Sequence, residues 1–393
     1  MSLSSFDDVI MSNYATPPVT FVRGSGSELF DDTGKRYIDM LGGLAVTSLG
    51  HSHPRIADAI AQQSRTLLHV SNLFGTEPHL EVAERLNRLI DSGPGKVLFQ
   101  NSGAEANEGA IKLARKFNGR GRHVVVSAFR SFHGRTMATL AATGQPEKHE
   151  PFQPLPEGFR HAQWGDVEAF DAALDETVGA ILVEPLQGEG GVNEADSAFF
   201  GGLRAMCDER GMLLIFDEVQ TGLARTGEWF GFQHYGIQPD IVTMAKALGN
   251  GVPIGAVWAR DDVAAAFKPG DHGSTFGGQP LAASAAREVL RVMEEMDAPA
   301  VVRERGEALR RRLDALDGIE SIRGLGLLLA ATLTAEVLEQ RSAADVNAAL
   351  LENGVVANAV NPTSLRFAPA FTISDAELDE VVGILARILE NGS

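Results

Sequence analysis

Residues 214–220 read LIFDEVQ, and MAKALGNG follows at 244–251. The first stretch closes an apolar run, Met212–Phe216, that reads as a buried strand and ends in the acids Asp217 and Glu218. An acid at the carboxyl end of such a strand is either a helix or turn cap or part of a site. Lys246 raises the matching question, because lysine is scarce here: Lys35, Lys96, Lys112, Lys116, Lys148, Lys246 and Lys268 are the full set. A lysine kept between DIVTM and the flexible LGNG is a surface residue or a reactive amine.

Working outward, KVLFQ (96–100), HVVVSA (123–128), AILVEP (180–185), LLIFDE (213–218) and DIVTMAK (240–246) read as buried strands. Residues 104–117 and 197–210 read as helices between them. Continuous apolar strands alternating with helices predict an α/β large domain whose mostly parallel sheet is covered on both faces. Ligands of such sheets bind beyond the carboxyl ends of the strands, where Asp217 and Lys246 stand.

The flanks differ. PVTFVRGSGSELFDDTGKRYID (18–39) reads as a small antiparallel hairpin or meander. From about 282 onward helices dominate (282–296, 298–316, 342–353, 374–391), interrupted by GLLLAATL (326–333) and SLRFAP (364–369). The expected division is an N-terminal segment 1–45 that joins a small α+β domain, a large domain 46–282, and a C-terminal part 283–393 of the small domain.

The chain of 393 residues is 44% hydrophobic and 22% charged, ordinary for a globular protein. A net charge of -18 argues against nucleic acid, whose phosphates need a cationic surface. No uncharged apolar run reaches membrane-spanning length, and the start MSLSSFDDVIM lacks the basic and apolar regions of a leader. A single cysteine, Cys207, excludes an internal disulfide framework and suits a reducing cytoplasm. Its setting, LRAMCDERG, reads as an amphipathic helix, so packing is its expected role.

FQNSGAEANEGAIKLARKF (99–117) sets a strand, a Ser-Gly turn and a helix in succession. Ser102 and Glu105 fit a capping box, and Ala110, Ile111, Ala114 and Phe117 form a core-facing stripe. The free N–H groups at Gly103–Ala104 suit a phosphate, although a plain strand-to-helix turn has the same pattern. Neither a phosphate loop nor a dinucleotide fingerprint is present, and GLGLLLA (324–330) has the wrong context for either. A pyridoxal phosphate site needs a lysine for a Schiff base, an acid opposite the pyridine nitrogen and a phosphate cradle. Lys246, Asp217 and the 102–104 turn supply all three at strand ends.

The segment LLIFDEVQTGLARTGEWFGFQHYGIQPDIVTMAKALGNGVPIGA (213–256) resembles the signature of the class III (ω-amino acid) pyridoxal-phosphate-dependent aminotransferases. LGGLAVTSLGHSHP, SNLFGTEP, NSGAEAN, SFHGRT, EPLQGEGGV, GSTFGGQPLA and SLRFAPA extend the likeness from about Asn13 to the C-terminus. The resemblance implies fold type I, with Lys246 as the Schiff-base lysine and Asp217 as partner of the pyridine nitrogen. It places Gln220 on the ring's 3-oxygen, Val219 and Phe132 on the two ring faces, and Ser102, Gly103 and Ala104 at the phosphate. Thr275 would add a hydroxyl from the neighbouring subunit, which implies a homodimer with shared active sites.

For substrates, the resemblance assigns the donor's α-carboxylate to Arg135 and the α-carboxylate of glutamate to Arg366. Glu189 would neutralise Arg366 when a terminal-amine donor is bound, and Ser274 joins the substrate-binding set. The activity implied is transfer of the terminal amine of N2-acetyl-L-ornithine to 2-oxoglutarate, a step of arginine biosynthesis. Ornithine, succinylornithine and 4-aminobutyrate are the alternative donors, and a catalytically silent cofactor-binding scaffold is the non-enzymatic alternative. Two departures bear on this. Ala104 stands where many relatives carry threonine, and Gly75 where they often carry an aromatic residue, which could widen the entrance. His51 and His53 have no partner cluster for a metal, so turn and helix-start roles are expected. His133, beside Phe132, is a candidate supporting group.

Overall fold

Described residues of the computed structural model run from 6 to 390. Residues 1–5, where the leader reading begins, and residue 391, the end of the expected helix 374–391, lie outside them. Three strands form the N-terminal meander: β1 (Phe21–Ser25), β2 (Glu28–Asp31) and β3 (Arg36–Asp39), paired antiparallel. The turn between β2 and β3 is closed by Asp31 Oδ1, which accepts from the backbone N–H of Thr33 and Lys35, each at 2.9 Å. His51 Nε2 lies 2.7 Å from Asp39 Oδ2, and His53 immediately precedes the helix Pro54–Thr66.

The central sheet is built from β4 (Gly95–Gln100), β5 (Val124–Ala128), β6 (Phe159–Ala162), β7 (Val178–Val183), β8 (Leu213–Asp217), β9 (Ile241–Met244) and β10 (Gly255–Arg260). Its order is β4-β10-β9-β8-β7-β5-β6. The run β9-β8-β7-β5-β6 is parallel, and β5, β7, β8 and β9 are almost continuously apolar because helices cover both faces. KVLFQ lies outside that run: β4 pairs only with β10, and β10 is antiparallel to both its neighbours. Two strands of this sheet do not stand out in the sequence. β6 is short and carries Arg160 and His161, and β10 follows a glycine-rich turn directly after Lys246.

The helix Gly103–Asn118 starts where expected. Ser102 Oγ accepts from Glu105 N at 3.2 Å, but the Glu105 carboxylate reaches back to Asn101 N at 2.7 Å, one residue beyond the Ser102 N–H that a reciprocal box uses. Ala110, Ile111 and Ala114 are buried, whereas Phe117 is 37% exposed. Ala106 and Leu113 complete the buried stripe instead, so it ends a turn earlier than the sequence suggested. Helix Ser197–Arg210 buries Cys207, whose thiol is pushed up to about 12 by desolvation.

The C-terminal flank packs the helices Pro280–Glu295, Ala298–Asp314, Ala343–Glu352 and Asp375–Glu390 with β11 (Ile319–Leu325), β12 (Leu328–Leu333), β13 (Val355–Val356), β14 (Asn358–Asn361) and β15 (Ser364–Phe367). The sheet β11-β12-β15-β14 is antiparallel. β13 instead lies parallel to β3, so the two ends of the chain share one sheet. No helix among the described residues is long and apolar enough to cross a membrane.

Candidate active site

β8 and β9 are adjacent and parallel, with Asp217 opposite Thr243. Asp217 therefore ends one strand as the other turns toward Lys246, which adopts a left-handed φ of 41°. A non-glycine residue in that region stores local strain, a recurrent feature of functional turns. Asp217 Oδ2 accepts from His133 Nδ1 and from Asn107 Nδ2, both at 2.8 Å, and Oδ1 accepts from Val219 N at 3.0 Å. Asn107 is fixed in turn: Nδ2 also donates to His133 O at 2.8 Å, and Oδ1 accepts from Thr243 Oγ1 at 2.7 Å. Three donors thus fix the carboxylate in one orientation. No sequence signal was assigned to Asn107, although an amide beside Ala106 and Ala110 on a buried helix face must find partners.

The Lys246 side chain is half-buried in the cleft wall. Desolvation pushes its amine below the usual lysine range, and the Glu189 carboxylate opposes that shift. A depressed value raises the share of neutral amine, the nucleophilic form. Glu184 was also missed. It is buried, and desolvation with the nearby Asp217 charge holds its carboxyl well above the usual range. It accepts from Phe132 N at 3.2 Å and Gly188 N at 3.3 Å, and so ties together two loops of the site.

A cleft of about 460 Å³ gathers Ser102, Gly103, Ala104, Phe132, Arg135, Glu189, Asp217, Val219, Gln220 and Lys246. Arg366 reaches it through Glu189: Nη1 donates to Glu189 Oε1 at 2.6 Å. Arg366, with its apolar strand neighbours Leu365 and Phe367, is buried. Arg135 is exposed, its guanidinium 5.5 Å from the Phe132 ring centre. Ser274 and Thr275 do not line the cleft of their own chain. Ser274 Oγ accepts from Asn101 Nδ2 at 2.9 Å at the edge, while Thr275 is exposed. Gly75 is exposed, with open space where a side chain would stand.

These residues fit pyridoxal phosphate. Gly103 and Ala104 open a helix, so their N–H groups have no intrahelical acceptor. A Cβ on Gly103 would lie 2.7 Å from Val219 Cγ1, so only glycine brings the backbone this close to the cleft wall. Gln220 Oε1 and Arg366 Nη2 are buried without a protein partner, as polar groups reserved for a ligand would be. Fold and cleft together define a pyridoxal-phosphate enzyme of fold type I.

The chain belongs to the class III aminotransferases: the family model described as Aminotransferase class-III matches residues 9–389. It is 43% identical over 383 residues to the acetylornithine aminotransferase of Methanocaldococcus jannaschii, covering 95% of this chain and 94% of that one. It is 45% identical over 397 residues to that of Corynebacterium efficiens, covering 99% and 96%. The crystal structure of ornithine aminotransferase from Toxoplasma gondii ME49 superimposes with a TM-score of 0.91 at 33% identity, covering 100% and 96%. The protein is thus a pyridoxal-phosphate-dependent transaminase.

Proposed function

We propose that the enzyme transfers the terminal amine of N2-acetyl-L-ornithine to 2-oxoglutarate, giving N-acetyl-L-glutamate 5-semialdehyde and L-glutamate in arginine biosynthesis. The observation that carries this reading is the 2.6 Å ion pair between Glu189 and Arg366 at the cleft wall. An arginine that can be either neutralised or offered to a carboxylate suits one cleft that must take both a terminal-amine donor and an α-amino acid. The names of the curated relatives point to the same donor.

Bound pyridoxal phosphate supplies the electron sink for the amine-bearing carbon. In this reading Lys246 would hold the cofactor covalently, and its Nζ would carry the proton. Asp217 keeps a fixed negative charge opposite the ring nitrogen, and His133 and Asn107 hold that carboxylate in place. Ser102, Gly103 and Ala104 bind the phosphate, Phe132 and Val219 close the two ring faces, and Gln220 meets the ring's 3-oxygen. Arg135 takes the donor's α-carboxylate or the distal carboxylate of glutamate. Arg366 takes the α-carboxylate of glutamate. Ser274 borders the substrate space through Asn101.

Thr275 is read as completing the site of a second copy of the chain in a homodimer. Its exposure supports this, as does that of Phe276, which is 66% exposed on an apolar ring. The expected compartment is the cytoplasm.

The test is a donor panel in single turnover, followed by the cofactor's visible absorbance. N2-acetylornithine should react with the highest ratio of rate constant to apparent Kd. Preference for ornithine, succinylornithine or 4-aminobutyrate would reassign the donor, and cofactor binding without transfer from any donor would make the chain a silent scaffold.

A further inference from the structure

We infer that Arg225 is a positioning residue: its guanidinium fixes the strand that carries Arg366 against the loop that follows Asp217. The inference rests on the assignment of Arg366 to the α-carboxylate of glutamate.

Arg225 is 1% exposed and makes no ion pair among the described residues. Its Nη1 donates to Leu327 O at 3.0 Å and Pro369 O at 2.7 Å, and Nη2 donates to Ser48 Oγ at 2.8 Å. The guanidinium carbon lies 4.6 Å from the Phe371 ring centre. Desolvation pushes the group down to about 9, with Asp39 opposing, so a cation is kept at a depth where one is costly. Simple filling of that space would be served by a methionine.

The acceptors explain the retention. Leu327 immediately precedes β12 and Pro369 follows β15, and these strands pair antiparallel with Arg366 opposite Ala330. One guanidinium therefore grips the entry of one strand and the exit of the other, at the end of the ladder where Arg366 sits. Ser48 adds a third anchor, because its carbonyl also accepts from Phe371 N at 2.7 Å.

The other side of the contact is equally constrained. Arg225 lies on the same loop as Val219 and Gln220. The two residues before it, Leu223 and Ala224, are buried with left-handed φ values of 56° and 68°. L residues rarely adopt that conformation twice in succession, which marks a segment whose surroundings dictate its path. Leu327 N donates to Arg225 O at 3.1 Å. A Cβ on Gly326 would lie 2.6 Å from the Thr226 carbonyl carbon, so the two backbones meet without slack. A small displacement at Arg225 is thereby passed to the strand that bears Arg366.

A terminal-amine donor leaves Arg366 to Glu189, whereas glutamate needs Arg366 placed to receive its α-carboxylate. Loosening Arg225 should therefore weaken one half-reaction selectively. The experiment measures single-turnover half-reactions of the Arg225→Met and Arg225→Lys holoenzymes with L-glutamate and with N2-acetylornithine. Couplings carried through packed contacts of this kind predict that the apparent Kd for glutamate rises about tenfold while that for the donor changes less than about threefold. Arg225→Lys, which keeps a cation and donors, should recover part of the difference. Equal losses in both half-reactions, or none in either, would overturn the inference. If Arg225→Met does not fold, Arg225→Lys decides by the same ratio. Arg366→Gln is the reference. If it leaves glutamate binding intact, the carboxylate assignment itself fails. If it abolishes glutamate binding while the Arg225 variants do not shift the ratio, only the inference fails.

Discussion

Arg366 and Glu189 form an unequal pair: Nη1 and Oε1 are 2.6 Å apart, yet the arginine side chain is 1% exposed and the acid's 30%. Arg366 is also held by Asn358 Oδ1 at 3.1 Å and Gly188 O at 3.2 Å, and its Nη2 has no protein partner. The acid, which has solvent on one side and Gln220 Nε2 at 3.2 Å on the other, is the half with room to leave. In the proposed reading an incoming carboxylate takes the free Nη2, and the acid on Nη1 gives way to it.

Glu189→Gln keeps the size of the side chain and removes the charge that competes for Arg366. The donor half-reaction should weaken by roughly thirtyfold in kcat/KM, equivalent to about 2 kcal/mol, the usual worth of a hydrogen bond to a charged group. The glutamate half-reaction should hold or improve. Parallel losses in both, measured by steady-state kinetics on each substrate, would contradict the alternating role.

Asp217→Asn tests the buried carboxylate. Its Oδ2 faces two donors and its Oδ1 a third. An amide in that place must turn its NH₂ toward one of these donor groups, whichever way it is rotated. A loss of about 1–3 kcal/mol of stability is expected from that conflict. A larger effect should fall on kcat, on the order of 10²–10³, the range seen when one preorganised electrostatic partner is removed. Thermal unfolding and turnover of the cofactor-loaded variant separate the two. Unchanged turnover would remove Asp217 from the chemistry.

The parallel core was readable because β7, β8 and β9 are continuous apolar runs that end abruptly in Glu184, Asp217 and the Lys246 turn. β6 and β10 were not, since one is short and polar and the other is continuous in composition with the turn before it. Residues at strand ends announce themselves, but residues that support them do so only through tertiary approach. Asn107 reads as an ordinary polar position until the packing of Thr243 and His133 against it is known. Glu184 and Glu189 sit in one motif, and no spacing rule tells which is sealed in and which lies at the mouth. For Ser274 and Thr275 the sequence offered a motif, while the geometry of a single chain leaves Thr275 turned outward.

Glu218, beside Asp217, makes stability depend on pH. It is buried, and desolvation raises its carboxyl to about 7, while Thr221 Oγ1 at 2.5 Å and Phe232 N at 2.8 Å pull the other way. In the unfolded chain the group ionises near the ordinary glutamate value of 4.5. Below that pH both states are protonated and the group has no effect. Between about 4.5 and 7 the unfolded chain releases its proton first, so stability falls as pH rises, and the loss is complete above the folded value. Its size is of order 3 kcal/mol. Glu218→Gln can still accept from Phe232 N and bond Thr221. Its melting temperature relative to the parent should therefore rise between pH 5 and pH 8. A constant difference would mean that Glu218 is ionised in the folded protein throughout.

Thr275 decides whether one chain suffices for catalysis. Its hydroxyl stands outside its own cleft, next to Ser274, whose Oγ also accepts from Gly277 N at 3.1 Å, and the turn presents Thr275 and Phe276 outward. Thr275→Asp should repel the cofactor phosphate in whichever site the residue serves, and Lys246→Ala removes the reactive amine of its own site. Each variant alone should be inactive. After the two are mixed and allowed to exchange subunits, a hybrid dimer pairs an intact Lys246 with an intact Thr275 in one of its two sites. Random exchange makes about half the dimers hybrids, so about one quarter of the parental activity should return. If Thr275 served its own chain, each defect would stay confined to the chain that carries it. Every site in the mixture would then be dead, and no activity would appear.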